Sequence, residues 1–211
     1  MADLTKLYDK YGADKGTKKN MYSDVYEAYF YKHKDDPINV LEIGVFKGAS
    51  VQAHHDYFSK ANLYAADIFV RVDPKEIPIL NEERVHWIKG NSTAPNVASV
   101  VAEKWGDIKF DLIIDDGAHD PVSMLATLKN FMPMLAEGGT YFIEDLFPLD
   151  KMNEQELMNP WLTREGHRDL WTLMNHAALM NEVYKYKVKV FDLRQKTRAW
   201  IPDSYMLALE K

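Results

Sequence analysis

The chain has 211 residues, of which 46% are hydrophobic and 27% charged, and its formal net charge is −6. This size and composition predict one soluble globular domain over residues 1–211, and the scattered basic residues argue against nucleic acid as the main partner. The lack of cysteine excludes disulfides, thiolate nucleophiles and thiolate zinc sites. With no apolar segment of signal-peptide or membrane-spanning type, we expect a cytoplasmic protein without a membrane partner.

Residues 1–36 are predicted to form a helical cover ahead of the first strand. Leucine, valine and aromatic side chains recur at helical spacing in two runs, which end near Tyr11 and Phe30. Between the runs lies the loop YGADKG, residues 11–16, which has two glycines and an Asp-Lys pair. One interpretation is a helix end followed by a solvated linker. The other is a loop folded over a ligand.

Apolar runs alternate with helical patterns through the middle of the chain. The predicted strands are Ile38–Ile43, Asn62–Ile68, Val85–Lys89, Phe110–Ile114 and Tyr141–Ile143. The predicted helices are Ala49–Phe58, Ala94–Trp105 and Pro121–Leu135, the last stopped by Gly138-Gly139. Five strands alternating with helices predict an α/β, Rossmann-like fold with a doubly wound, mostly parallel sheet.

The pattern changes after the fifth strand. Residues 147–183 are predicted to form an insertion on the acceptor side, irregular at first and helical from Arg168 to Tyr184. The run from Tyr184 to Leu193 alternates apolar residues with lysine, as in a strand with one wet face. Residues Ser204 to Leu209 form a last strand. These two strands are expected to pair antiparallel at the sheet edge, which makes the sheet seven-stranded.

Acidic residues stand where two of the predicted strands end. Asp115 and Asp116 follow the fourth strand, and Glu144 and Asp145 follow the fifth. Ligands of parallel sheets bind beyond the carboxyl ends of strands, and neighbouring strands lie about 5 Å apart. We therefore expect a Mg²⁺ site of Asp116, Glu144 and Asp145, with His119 beside it as a general base. The alternatives are solvated acids at loop starts and, for Asp115, a residue that caps the strand end.

A strand, a glycine loop and a helix in this order normally bind a nucleotide-like ligand. The loop reads Glu42-x-Gly44-x-x-x-Gly48 and lacks the middle glycine with which dinucleotide sites admit a pyrophosphate. Asp67 follows Gly48 by 67 − 48 = 19 residues, the spacing at which an acid meets ribose hydroxyls. S-adenosylmethionine has a ribose, no phosphate and cationic groups that tolerate Glu42, so we predict this cofactor.

The segments LEIGVFKG, AADIF, KGNST, DLIIDDGAH and TYFIEDL, in this order, resemble class I S-adenosylmethionine-dependent methyltransferases. More narrowly, they resemble the metal-dependent sugar O-methyltransferases of the macrocin and mycinamicin type. YGADKG and the following MYSDVYEAYF are similar to the segment that precedes the first strand in that group. The resemblance covers about residues 8–146. It implies that Asp116, Glu144 and Asp145 hold Mg²⁺ and that His119 is the base.

The glycine loop and the resemblance together give an expected set of cofactor-binding residues: Tyr11, Asp14, Lys15, Glu42, Gly44, Gly48, Asp67, Asn91, Ser92 and Asp115. The expected reaction is Mg²⁺-dependent O-methylation of a sugar hydroxyl in a natural product or saccharide. The alternatives are a catechol-like or other small acceptor, an NAD-dependent sugar-modifying enzyme, and a non-catalytic binding protein. Some relatives carry an extra N-terminal domain for which 211 residues leave no room, so the oligomeric state, including a homo-oligomer, stays open. Candidate acceptor contacts, or ordinary surface residues, are Trp161, Arg164 and His167.

Overall fold

A computed structural model describes residues 3–146, 168–196 and 204–211. The α-helices of this part of the chain are α1 Asp3–Tyr11, α2 Ser23–Phe30, α3 Ala49–Tyr57, α4 Val97–Trp105, α5 Pro121–Phe131 and α6 Leu173–Val183. The strands are β1 Asn39–Ile43, β2 Asn62–Asp67, β3 Val85–Lys89, β4 Phe110–Asp115, β5 Leu135–Ile143, β6 Lys187–Asp192 and β7 Tyr205–Glu210. Trp161, Arg164 and His167 lie outside the described residues.

The seven strands form one sheet in the order β3-β2-β1-β4-β5-β7-β6. Strands β1 to β5 pair in parallel, whereas β7 runs antiparallel to both β5 and β6. The predicted α/β fold with a terminal antiparallel pair is therefore confirmed. Strand order reverses between β1 and β4, which lie side by side, and this is the point where ligands of such sheets bind.

Both faces of the sheet are covered, as a parallel sheet requires. Alternate strand residues point to opposite faces, so Val40 packs in a core with α1, α2 and α3. Its neighbour Leu41 packs in a second core with α4, α5 and α6. The N-terminal helices thus belong to the first core, where the ring of Tyr26 lies 5.1 Å from that of Phe142. Among the described residues, the helices are too short or too polar to cross a membrane.

The predicted extent of the helix after β4 is wrong. The helix ends at Phe131 instead of Leu135, and a 3₁₀ turn over Met132–Met134 follows, because Pro133 supplies no N–H for a further helical turn. β5 then runs from Leu135 straight through the two glycines. A Cβ on Gly139 would lie 2.9 Å from the carbonyl oxygen of Asp111, so this glycine admits a neighbouring strand instead of stopping a helix.

The predicted helix from Arg168 to Tyr184 is divided in the structure. A 3₁₀ turn over Arg168–Trp171 comes first, and α6 follows it. Thr172 separates them because its hydroxyl accepts a hydrogen bond from the N–H of Asn175 at 3.2 Å, which caps the new helix. Among the other boundaries, which mostly shift by one residue, α4 begins at Val97 and not Ala94, and β6 at Lys187 and not Tyr184.

Candidate functional site

The predicted acids meet beyond the carboxyl ends of β4 and β5. The N–H of Glu144 donates to the carbonyl of Asp115 at 3.0 Å, which continues the strand pairing up to the acids. One ligand atom from each of Asp116, His119 and Asp145 lies within 4.8 Å of the other two. Carboxylate oxygens suit a hard divalent cation, so Asp116 and Asp145 fit the expected Mg²⁺, whereas an imidazole is a softer donor that such an ion does not require.

Glu144 is deeply buried and bound on both oxygens. Its side chain is 1% exposed, and Lys15 Nζ lies 2.8 Å from its Oε2. The hydroxyl of Tyr26 donates to its Oε1. The same Lys15 Nζ lies 2.5 Å from Asp116 Oδ2, so one buried ammonium bridges acids from two strands.

Asp145 is held by two residues of the N-terminal segment. Its Oδ1 accepts hydrogen bonds from the hydroxyl of Tyr22 and, at 3.2 Å, from Asn20 Nδ2. The backbone N–H of Asp145 also donates to the Tyr22 hydroxyl at 3.3 Å. Asn20, Tyr22 and Tyr26 are absent from the site predicted from sequence. One signal in the sequence could have found the two tyrosines. A tyrosine on an apolar helix face is buried, and its hydroxyl then needs a hydrogen-bond partner in the interior.

His119 lies between two of the acids. Its Nε2 is 2.9 Å from Asp116 Oδ1, and its Nδ1 is 3.5 Å from Asp145 Oδ2. A third of the His119 side chain is exposed, so an acceptor can reach it. Both His119 and Asp145 have positive φ, 60° and 52°, a conformation that costs free energy and clusters at functional sites. Asp120, next to His119, caps α5, because its side chain accepts from the N–H of Ser123 at 2.8 Å.

The charges of the cluster shift several pKa values. Burial opposes ionisation of Asp116, but Lys15 and His119 outweigh it and lower the pKa of that carboxyl to about 2. Burial likewise lowers the pKa of His119, yet the hydrogen bond to Asp116 and the charge of Asp145 raise it to about 10. For Glu144, burial outweighs the attraction of Lys15 and raises the pKa. Two cations thus share three closely packed acids.

Asp115 faces the interior and not the acid cluster. Its carboxyl group accepts from the hydroxyl of Tyr141 at 3.2 Å and from the backbone of Gly117. Burial raises the pKa of Asp115 to about 7. These contacts fit the alternative interpretation, in which Asp115 caps the end of its strand, because they stabilise the turn that carries Asp116.

The glycine loop passes directly under the acid-bearing turn. Gly44 has a φ of +92°, and a Cβ there would lie 1.9 Å from the carbonyl oxygen of Asp116. Gly48 has a φ of +77°, and a Cβ there would lie 2.7 Å from Ile77 Cγ2. Any other residue at either position would displace the loop. The glycines therefore bring the cofactor loop next to the predicted metal acids.

Asp67 closes this loop at the end of β2. Its Oδ2 accepts from the N–H groups of Val45 and Phe46 at 2.7 and 3.0 Å. Its Oδ1 accepts from the N–H of Phe69 at 2.6 Å. A carboxylate oxygen has two lone pairs, so Oδ1 retains acceptor capacity for a ligand hydroxyl.

Glu42 lies buried beneath the loop. Ser50 donates to its Oε1, and His54, itself hydrogen-bonded to Tyr8 at 2.6 Å, places Nδ1 3.2 Å from Oε2. Within the part of the chain that the structure describes, Oε2 makes no hydrogen bond despite its burial. Glu42 thus supplies a carboxylate beneath the loop, and a carboxylate there favours a ligand that carries a cationic group, such as the ammonium of S-adenosylmethionine.

The remaining predicted cofactor residues contact other parts of the protein. The Tyr11 hydroxyl donates to Asp56 on α3, and Asp14 is paired at 3.9 Å with Lys19. Asn91 accepts from the N–H of the residue two positions on, at the end of β3 next to β2. Ser92 bonds Thr127 of α5 at 2.9 Å. Of the YGADKG candidates, only Lys15 reaches the acid cluster.

Comparison with known proteins identifies the family of this chain. A family described as a methyltransferase domain matches residues 41–146, which is half of the chain. A tetracenomycin-C rhamnosyl 3′-O-methyltransferase of Streptomyces olivaceus is 30% identical over 152 residues, covering 69% of this chain and 37% of the relative. The mycinamicin VI 2″-O-methyltransferase of Micromonospora griseorubida is 26% identical over 152 residues, covering 69% of this chain and 36% of the relative. The chain thus spans little more than a third of these curated relatives.

A solved structure shows the same fold. The MycE methyltransferase of the mycinamycin biosynthetic pathway, in complex with Mg and SAH, aligns with a TM-score of 0.70 and 22% identity. The alignment covers 100% of this chain and 55% of that one. The matched family segment begins within β1 and ends just after the acids that follow β5, so it contains the glycine loop and both acid-bearing turns. The chain therefore belongs to the methyltransferase-domain family.

Proposed function

We propose that this chain transfers a methyl group from S-adenosylmethionine to a sugar hydroxyl of a natural product or saccharide. In this proposal Asp116, Glu144 and Asp145 hold Mg²⁺ and His119 takes the proton. The observation that carries it is the convergence of Asp116, His119 and Asp145 beside the glycine loop, with Glu144 joined to Asp116 through Lys15. The curated relatives support the acceptor class, because their names describe O-methyltransferases of rhamnosyl tetracenomycin and of mycinamicin.

The loop region fits the cofactor in two respects. In this proposal Asp67 accepts from the ribose hydroxyls and Glu42 attracts the ammonium group; what supports it is that both carboxylates border the glycine loop. Phe46, Ile68 and Val70 are apolar side chains that are 53%, 46% and 74% exposed around Asp67. Exposed apolar side chains beside a ribose-binding acid provide a surface on which an adenine ring can stack.

The described residues divide the chemistry between them. A divalent ion bound by the carboxylates would lower the pKa of the acceptor hydroxyl and balance its developing charge. The acceptor oxygen attacks the methyl carbon, the carbon–sulfur bond breaks, and the hydroxyl proton passes to His119. Asp116 orients the imidazole through the 2.9 Å contact to Nε2. The products are a methyl ether, a neutral thioether and a protonated histidine, so charge and atoms balance.

The cofactor prediction is tested by calorimetry with S-adenosylhomocysteine and, separately, NADH. We expect the former to bind, and Asp67→Ala to weaken its binding by about 1–3 kcal/mol, because a charge-assisted contact to ribose is lost. Asp73→Ala is the control, since Asp73 also accepts a backbone N–H but belongs to an exposed turn. Binding of NADH without a response to S-adenosylhomocysteine would favour the alternative of a sugar oxidoreductase.

The acceptor prediction concerns the hydroxyl next to the methylated one. If Asp116, Glu144 and Asp145 hold Mg²⁺, the ion would have coordination positions left for two neighbouring hydroxyls of the acceptor. Removing the neighbouring hydroxyl from the acceptor should therefore lower kcat/KM more than removing a distant hydroxyl. Kinetics with a matched pair of deoxy-sugar acceptors measure this difference. Equal losses of kcat/KM for the two deoxy acceptors, or better methylation of an amine, would exclude a diol held at the metal. A catechol acceptor also has two neighbouring hydroxyls, so it would show the same preference.

A further inference from the structure

We propose that Lys15 is a positioning residue whose ammonium group competes with the divalent ion for Asp116 and Glu144 and so sets the affinity of the site for that ion. The inference rests on the proposed function, because it concerns the same carboxylates. It assigns Lys15 a role at the metal acids instead of the cofactor contact expected from the resemblance.

The competition follows from the position of the ammonium. Lys15 Nζ lies 2.5 Å from Asp116 Oδ2 and 2.8 Å from Glu144 Oε2. Mg²⁺ holds its oxygen ligands at about 2.0–2.1 Å, so an ion on the same two oxygens would occupy the space of Nζ. The other oxygens of these carboxylates are engaged by His119 and Tyr26. The ion therefore binds against the charge of Lys15.

The chain holds Lys15 at this position. The whole residue is 0% exposed, and its backbone carbonyl accepts a hydrogen bond from the N–H of Ser23 at 3.0 Å. Asp9 clamps the next turn by accepting from the N–H and hydroxyl of Thr17, at 2.8 and 2.6 Å. A Cβ on Gly16 would lie 2.3 Å from Asp9 Oδ1, so only glycine permits this clamp. Lys15 is thus a fixed cation and not a mobile surface lysine.

Lys15 has two effects of opposite sign on ion binding. It holds the acids together, which favours binding, and it repels a second cation, which opposes binding. The first effect has other contributors, because Tyr22 and Asn20 hold Asp145, Tyr26 holds Glu144, and pairing of β4 with β5 fixes the backbone. The repulsion comes from fewer groups. Within the described ranges, Lys15 and His119 are the cationic side chains that contact the acid cluster. Repulsion therefore dominates, and loss of the Lys15 charge should tighten ion binding.

The test is calorimetric titration of the full chain with Mn²⁺ at fixed pH and ionic strength. Lys15→Met and Lys15→Gln should each lower the Kd for Mn²⁺ by about tenfold or more, because a unit charge close to the ion is removed. Lys15→Arg keeps the charge and should bind no tighter than the unmodified chain. Lys18→Met removes an exposed charge from the same loop and should change the Kd by less than about twofold.

The set of variants keeps the inference falsifiable if one of them fails to fold. Lys15→Gln retains hydrogen-bond donors for both acids, so it tests the charge even if Lys15→Met is unstable. An unchanged or higher Kd in a folded charge-removing variant would overturn the competition while leaving the metal site in place. Failure of the unmodified chain to bind Mn²⁺ at all would overturn the proposed metal site, and this inference with it.

Discussion

Replacing Asp116 with asparagine is expected to lower kcat by about 10²–10⁴-fold and to remove the response to Mg²⁺. The change keeps the shape of the side chain but removes the charge that attracts the ion and that holds Lys15 and His119. Chelation with EDTA should lower the activity of the unmodified enzyme to a similar level, and added Mg²⁺ or Mn²⁺ should restore it. Steady-state rates with and without EDTA measure both effects.

Asp107→Asn is the matched control for this experiment. It removes the same charge from a side chain that is 96% exposed and distant in the fold from the β4 and β5 ends. Its activity should equal that of the unmodified enzyme. Full activity of Asp116→Asn, or activity that persists in EDTA, would show that the carboxylate cluster does not hold a catalytic ion.

Replacing His119 with alanine is expected to lower kcat by about 10²–10⁴-fold with little change in cofactor affinity. The reason is loss of the proton acceptor, since the histidine lies against Asp116 and is partly open to solvent. In the unmodified enzyme the rate should rise with pH through a group whose pKa lies between the ordinary 6.5 and the raised value of about 10. A cation on the neighbouring acids would cancel part of their charge and move the pKa of His119 toward the lower value.

The His119→Ala variant has two informative readouts besides the rate. Its Kd for Mn²⁺ should not rise, because the change removes a cation that faces the same acids, whereas a large increase would make His119 a ligand, which the 4.8 Å cluster also permits. Its pH–rate profile should lose the rise described above. His55→Ala, which changes a partly buried histidine of α3 that contacts Asp56, should retain that rise. A profile that His119→Ala leaves unaltered would rule out the base role.

The raised pKa of His119 also predicts how stability depends on pH. A pKa above the unfolded value of 6.5 means that the folded protein binds this proton more tightly. Protonated His119 therefore adds to the free energy of unfolding. This contribution is complete below pH 6.5 and is lost as pH rises through about 10. Chemical unfolding in EDTA measures this. Between pH 6.5 and about 10, the free energy of unfolding should fall with rising pH more steeply for the unmodified chain than for His119→Ala.

The sheet and the position of its acids could be predicted because both follow from local patterns and topology. Apolar runs of strand length mark the parallel strands, and the carboxyl ends of such strands necessarily share one edge. Asp116 and Asp145 come together by this rule alone. The role of Gly138-Gly139 could not be predicted from the neighbouring residues. A pair of glycines occurs both after the end of a helix and within a strand such as β5.

The contribution of the N-terminal segment was beyond sequence reasoning for a different reason. Lys15 and Asp116 are 101 positions apart, and no periodicity connects them. The helical spacing of Tyr26 predicts an apolar helix face, which is correct for its ring, but the spacing gives no information on the hydroxyl that bonds Glu144. Contacts of this kind depend on how helices dock on the sheet, and only the folded chain shows them.

The most direct test of the central claim is transfer of a labelled methyl group from S-adenosylmethionine to glycosides that carry a vicinal diol. The product is analysed by mass spectrometry, with parallel reactions in Mg²⁺ and in EDTA. Our account predicts a methyl ether on a sugar oxygen, formed in Mg²⁺ and not in EDTA, and not formed by Asp116→Asn. Methylation that proceeds equally well in EDTA, or that occurs on nitrogen, would contradict it.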